Sequence, residues 1–162
     1  MNMMINLDET INEQIEILTR QLKNLLGREI VTYDIIKKNN TQGIYVIFDK
    51  VNISYIGITT RQGKKRMQEL TSDYRSHTFN RKLLTERFKE LKLVTQPLKK
   101  DSKTDLINNN IMSKEFFVQQ QTAINDYIKN ELQFIFLPIA DTNLLKRLEH
   151  FAIAVINPPY ND

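Results

Sequence analysis

Two short apolar runs, Gly43 to Phe48 and Val51 to Ile58, meet at the polar stretch Asp49-Lys50-Val51-Asn52. Both runs are rich in Ile, Val, Tyr and Phe, which suit a pleated, half-buried surface, and Asp and Asn suit the turn between them, so the segment reads as a β-hairpin. Each run carries a tyrosine near a glycine: Gly43-Ile44-Tyr45 and, ten residues after that tyrosine, Tyr55-Ile56-Gly57. Side chains alternate faces along a strand. Tyr45 and Tyr55 therefore share a face in some registers, and the turn leaves the register open. Two phenols on one face beside a basic segment suggest a phosphate site.

With 162 residues and 41% hydrophobic content, the chain fits one globular domain with its own core. The first ten residues lack the basic start and apolar run of a signal peptide, and the longest apolar stretch, Phe134 to Ala140, is far too short to span a bilayer. The expectation is a soluble, cytoplasmic protein with no membrane partner. Without cysteine there is no disulfide framework or thiolate zinc site, and two lone histidines do not make a histidine-rich one. A metal here would be held mainly by oxygen, which suits Mg2+ or Mn2+. The formal charge of +4 hides an asymmetry, because residues 61–100 hold twelve Lys/Arg against four Asp/Glu and the remainder is net negative. By itself such a run reads first as a solvated helix face, with a nucleic-acid surface as the minority reading.

Periodicity supplies the remaining elements. Ile11, Ile15, Leu18, Leu22 and Leu25 mark a helix over 11–26, with Thr10 and Glu13 at capping-box spacing and Gly27 as the stop. Its stripe packs on the domain's own sheet or, as the minority reading, makes a homodimer contact. A short strand is expected at Ile30 to Tyr33, helices at 63–70 and 78–93, and a mobile loop around Pro97, Lys99 to Lys103 and Asn108 to Asn110. The second of these helices should turn Phe79, Leu83, Leu84, Phe88 and Leu91 inward. A helix over 112–131, a strand over 133–139 and a last helix capped by Asp141 and ending before Pro158 complete the chain. On that last helix Leu145, Glu149, Ala152 and Ile156 share a stripe, so Glu149 is a carboxylate beside an apolar face.

The chain resembles the GIY-YIG nucleases, whose name is the two triplets. Beyond them, Lys64-Lys65-Arg66-Met67 resembles the family's arginine-bearing helix, Leu148-Glu149-His150-Phe151 its glutamate-bearing helix, and Asn157-Pro158-Pro159-Tyr160-Asn161 its proline turn and asparagine. The resemblance runs from about Gly43 to Asn161. It implies an α/β (α+β) fold with a small three-stranded antiparallel sheet flanked by helices. Residues 1–40 are then a helical extension, 41–162 the nuclease domain, and about 93–130 an insertion before the third strand. In function it implies a metal-dependent endonuclease cleaving DNA, with a catalytically inactive nucleic-acid-binding protein of the same fold as the alternative. A stand-alone restriction, phage or mobile-element enzyme is the type expected, and the ending resembles the phage endonuclease II group.

The resemblance also implies roles. Glu149 would bind the Mg2+ or Mn2+ ion, Arg66 would stabilise charge on the phosphoryl oxygens and Tyr45 would activate water. Tyr55 would support the phosphate or orient water, with simple packing as its alternative, and Asn161 would tie the chain end to the site. Gly57, Lys64, Lys65, His77, Arg81 and Lys82 are placed as nucleic-acid contacts, with a proton-accepting role as the alternative for His77. One departure leaves a choice open: Arg66 lies eleven residues beyond Tyr55, one more than the family's usual spacing, so Arg61 competes for the arginine position.

Overall fold

The computed structural model describes residues 7–161. Strands β1 (Gly43–Asp49), β2 (Asn52–Thr59) and β3 (Gln133–Pro138) form an antiparallel sheet in the order β2-β1-β3, so the first strand of the hairpin is central. Helices α1 (Leu7–Leu26), α2 (Tyr33–Ile36), α3 (Gly63–Leu70), α4 (Thr78–Glu90), α5 (Ser102–Asn108), α6 (Lys114–Asn130) and α7 (Thr142–Ile156) surround it. The expected small sheet flanked by helices is what the chain forms.

The hairpin register is set by a bulge. Asp49 pairs with Asn52 and Phe48 with Ile53, but Ile47 pairs with Tyr55, leaving Ser54 as an extra residue. Paired residues share a face of the sheet. Without the extra residue the ladder would run on to put Tyr55 opposite Val46, on the face away from Tyr45. With it, Tyr45 pairs with Gly57 and Tyr55 sits diagonally beside Tyr45 on the same face.

Each face has its own core. Tyr45, Ile47, Tyr55, Phe134 and Phe136 pack with Tyr33 and Ile36 of α2, Met67 and Leu70 of α3, Phe79 of α4 and Ile128 of α6. Ile44, Val46, Ile56 and Ile135 pack with Leu22 and Leu25 of α1 and with Leu145, Leu148 and Ala152 of α7. The carboxyl half of the α1 stripe thus covers the chain's own sheet, while Ile11 and Ile15 are about half exposed at 52% and 48%. The chain is already helical at Leu7, so Thr10 lies inside α1 and not at its cap.

Three other sequence expectations are corrected. The strand expected at Ile30 to Tyr33 shrinks to one bridge between Val31 and Phe134, because Tyr33 and Ile36, three residues apart, turn into the core as the short helix α2. The stretch expected as a loop around Pro97 to Asn110 contains α5. There Leu98, Leu106 and Met112 join Tyr74, Leu84, Phe88 and Phe117 in a third cluster that packs this stretch onto α4 and α6. Helix α4 stops at Glu90, ahead of Lys92 with its left-handed φ of 58°, and Leu91 is exposed where it was expected inward. Asn80 and Asn125 bind each other and reach the backbone at Leu70 and Ser72, while Gln121 joins them to Tyr74, so α6 is tied to α3 and α4 through amides. Among the described residues no helix is long and apolar enough to cross a membrane.

The Asp141 carboxylate caps α7, accepting from the N–H groups of Asn143 at 2.8 Å and Leu144 at 3.1 Å. After α7, Asn157 adopts a left-handed conformation and Pro158 carries the chain back alongside β2. Tyr160 N–H donates to the Ser54 carbonyl at 3.2 Å, at the bulge itself. The Asn161 amide accepts from Ile56 N–H at 2.8 Å and donates to Ile56 C=O at 2.7 Å, as a neighbouring strand would. Asn161→Ala removes both bonds. The expected result is a loss of about 1–3 kcal/mol in urea denaturation and faster hydrogen exchange at the Ile56 amide.

Candidate active site

Tyr45 lies at the centre of the aromatic face and is fully buried. Its ring is 6.3 Å from Tyr55 and 6.2 Å from His77, and Tyr55 and His77 are 5.6 Å apart. The Tyr45 hydroxyl accepts from Arg66 Nε at 3.3 Å and lies 2.8 Å from His77 Nε2. Gly57, directly across the hairpin, makes room for that hydroxyl: a Cβ there would stand 2.5 Å from the Tyr45 oxygen and 2.8 Å from the Tyr55 ring. Gly57 was expected to give a nucleic acid close approach to the backbone. It is buried, and the group that approaches it is Tyr45.

The two candidate arginines differ in reach. Arg66 on α3 donates from Nη1 to Glu69 Oε2 at 3.0 Å and from Nε to Tyr45, with its side chain only 22% exposed. Arg61 binds the other oxygen of the same carboxylate at 2.7 Å and is 56% exposed. Glu69 therefore holds Arg66 from behind. Sequence reasoning did not single it out, although its i,i+3 spacing from Arg66 is a helical pairing signal. Burial works against the Arg66 charge, but the tyrosine and glutamate oxygens around it raise its pKa nonetheless. Burial pushes the Tyr45 phenol well up, outweighing the pull of Arg66, and raises Tyr55 in the same way.

Glu149 reaches this group from the other face of the sheet. Its carboxyl is raised by burial, with His150, Arg66 and a hydrogen bond from the Ile58 backbone pulling the other way. It lies close enough for its charge to raise both Tyr45 and Tyr55. Among the described residues Glu149 makes no ion pair, and no group of three or more His, Cys, Asp or Glu side chains surrounds a common point. A partly buried carboxylate without a cation is a hard oxygen donor whose charge a divalent ion would compensate. An ion with one protein carboxylate and a shell of waters and phosphate oxygens suits this setting.

The other expected residues fall into two sets. Lys64 and Lys65 are exposed on the first turn of α3, and Arg81 and Lys82 are half-buried on α4. His77 was expected to contact nucleic acid but is only 1% exposed, and both ring nitrogens face protein: Nε2 meets Tyr45 and Nδ1 accepts from Phe79 N–H at 3.1 Å, capping α4. Burial, then the charges of Arg66 and Arg81, hold its pKa well below the ordinary value of 6.5. Asn161 grips β2 beside Tyr55 and reaches the site through the strand.

The fold and site together define a small α/β domain that presents phenol, guanidinium and carboxylate groups at one end of a three-stranded sheet, a set suited to phosphodiester chemistry. The family model described as the GIY-YIG catalytic domain matches residues 17–162, and the chain belongs to the GIY-YIG family. Its members are nucleases, which hydrolyse phosphodiester bonds and generally use divalent metal ions. Comparison with curated proteins and with solved structures found no match. For Gly57→Ala, overlap with the Tyr45 hydroxyl and the Tyr55 ring should displace the tyrosine rings. A destabilisation of about 1–3 kcal/mol in chemical denaturation is expected, with a changed Tyr45 environment by ring-proton NMR.

Proposed function

We propose that this chain is a metal-dependent endonuclease that cleaves DNA, with Glu149 holding Mg2+ or Mn2+. The observation that carries the reading is the convergence of Tyr45, Tyr55 and Arg66 on one face with Glu149 reaching around to join them. Arg66 is fixed by Glu69 and Tyr45 and keeps further N–H donors for the non-bridging oxygens, where it offsets charge that grows in the transition state. Tyr45, buried and oriented by Arg66, aligns and activates the attacking water. Because burial keeps the free phenol protonated, it ionises only with added cationic support beside it. Tyr55 braces the phosphate or the water. When bound, the ion supplies Lewis-acid polarisation of the phosphoryl oxygen and stabilisation of the leaving oxygen.

Exposed Lys64 and Lys65, together with Arg81 and Lys82, support DNA as the partner, since they put sequence-independent phosphate affinity beside the site. The restriction or phage type rests on the resemblance of Asn157-Pro158-Pro159-Tyr160-Asn161 to the phage endonuclease II group. The half-exposed Ile11 and Ile15 are what supports a homodimer through α1.

Cleavage of supercoiled plasmid tests the reading. Metal-dependent nicking or linearisation by the native chain is expected, abolished by EDTA. Glu149→Ala and Arg66→Ala should each lower the rate by about 10²–10³-fold while DNA binding persists. Binding without cleavage across metals and sequences would favour an inactive nucleic-acid-binding protein. Protons also compete with metal at Glu149. As its pKa is raised, the carboxyl protonates earlier on acidification than an ordinary one. Calorimetric Mn2+ affinity should therefore fall as pH drops through the mildly acidic range, and Glu149→Gln should remove the binding.

A further inference from the structure

His77 sits where a proton acceptor for Tyr45 would sit, but its hydrogen bonds assign it the opposite part. A backbone N–H only donates, so the bond from Phe79 N–H fixes Nδ1 as an acceptor bearing a lone pair. In the neutral ring the hydrogen is then on Nε2, and Nε2 faces the Tyr45 hydroxyl at 2.8 Å. Arg66 Nε has no lone pair to offer and also donates to that oxygen. The Tyr45 oxygen thus accepts twice, and neither partner can receive its hydrogen. Among the described residues the hydroxyl has no third hydrogen-bond partner.

We propose that His77 is a positioning residue that donates to Tyr45 and does not accept its proton, so that the Tyr45 hydrogen is presented to an acceptor on the substrate side, a phosphoryl oxygen or the attacking water. The proposal rests on the phosphodiester-cleaving reading above for its consequence, though not for its geometry. A proton leaving Tyr45 passes outward to water, and the phenolate oxygen left behind keeps the N–H groups of His77 and Arg66. The surroundings agree. Among the described residues the groups facing the imidazole are Tyr45 on β1, Tyr55 on β2, Arg66 on α3 and Arg81 on its own helix, two phenols and two cations, with no carboxylate to hold an imidazolium. A protonated Nδ1 would also set two donors against each other at the α4 cap.

The first test is imidazole proton–nitrogen correlation NMR on the native ¹⁵N-labelled chain. With two histidines in the sequence, exposed His150 serves as the comparison. The expected pattern for His77 is a protonated Nε2 and an unprotonated Nδ1, unchanged between about pH 8 and about pH 5. A proton on Nδ1, or titration of His77 in that window, overturns the proposal whether or not the chain cleaves DNA. The second test separates donor from base. His77→Asn keeps an acceptor for Phe79 N–H and loses the donor to Tyr45, whereas His77→Gln keeps an amide N–H within reach of Tyr45 and has no basic nitrogen. A positioning donor predicts that His77→Gln retains plasmid cleavage within about tenfold, that His77→Asn loses roughly a hundredfold in kcat, and that the pH–rate profile of His77→Gln keeps its native shape. Equal losses in both variants with disappearance of the acidic limb would make His77 the proton acceptor instead. If the native chain cleaves nothing, the functional reading fails while the NMR result still decides the hydrogen-bond assignment.

Discussion

The site depends on one unpaired residue in the hairpin. Ser54 takes β2 out of step with β1, and only downstream of that step do Tyr55 and Gly57 point to the face that carries Tyr45. A strand has a period of two, so a slip of one residue would exchange every later side chain between the two cores. It would set Tyr55 among the aliphatic side chains of α1 and α7, and Ile56 among the aromatic groups under α3 and α4. The Tyr160 bond to the Ser54 carbonyl holds the slip in place from outside the sheet. The geometry of the candidate site and the segregation of the two cores are therefore one constraint seen from two sides.

Within the site, burial and charge act against each other. Sinking Tyr45 beneath the surface fixes its orientation but disfavours the phenolate, and Arg66 only partly restores the balance. The same burial acts on Glu149, where it leaves a carboxylate in need of a cation. Both groups are thus more costly in their ionised forms without metal and substrate, and pre-organisation is achieved at the expense of resting-state charge. Glu69 shows the complementary arrangement. It is an ordinary surface-side carboxylate, shared by Arg61 and Arg66, which aims a guanidinium without adding charge at the reacting centre.

Much of this was legible in the chain. Alternating apolar runs located the strands, helical periodicity located most helices, and Asp141 and Asn157-Pro158 marked the ends of α7. The ordered triplets with Arg66 and Glu149 pointed to the family, and Tyr45, Tyr55 and Arg66 lie together in the fold. What was not legible depends on partners distant in sequence. The register could not be read because the bulge needs Tyr160, more than a hundred residues away, as well as the local turn. Helix α5 was missed because its short polar sequence shows only the adjacent pair Leu106 and Ile107 as apolar residues, and Leu106 becomes an anchor only when Tyr74 and Phe117 are present. Gly57 was read as an opening for substrate when its space is filled by Tyr45, and His77 as a surface residue because a histidine before a helix carries no mark of burial.

The last two residues described have an effect on assembly as well. Either side of a small open sheet ends in backbone groups that can template pairing with a foreign strand. On β2 these groups are taken: the Ser54 carbonyl by Tyr160 and both Ile56 groups by Asn161. On β3, Val31 pairs with Phe134. A strand from another molecule therefore finds little to zip onto along the middle of β2, and association by sheet extension is disfavoured there.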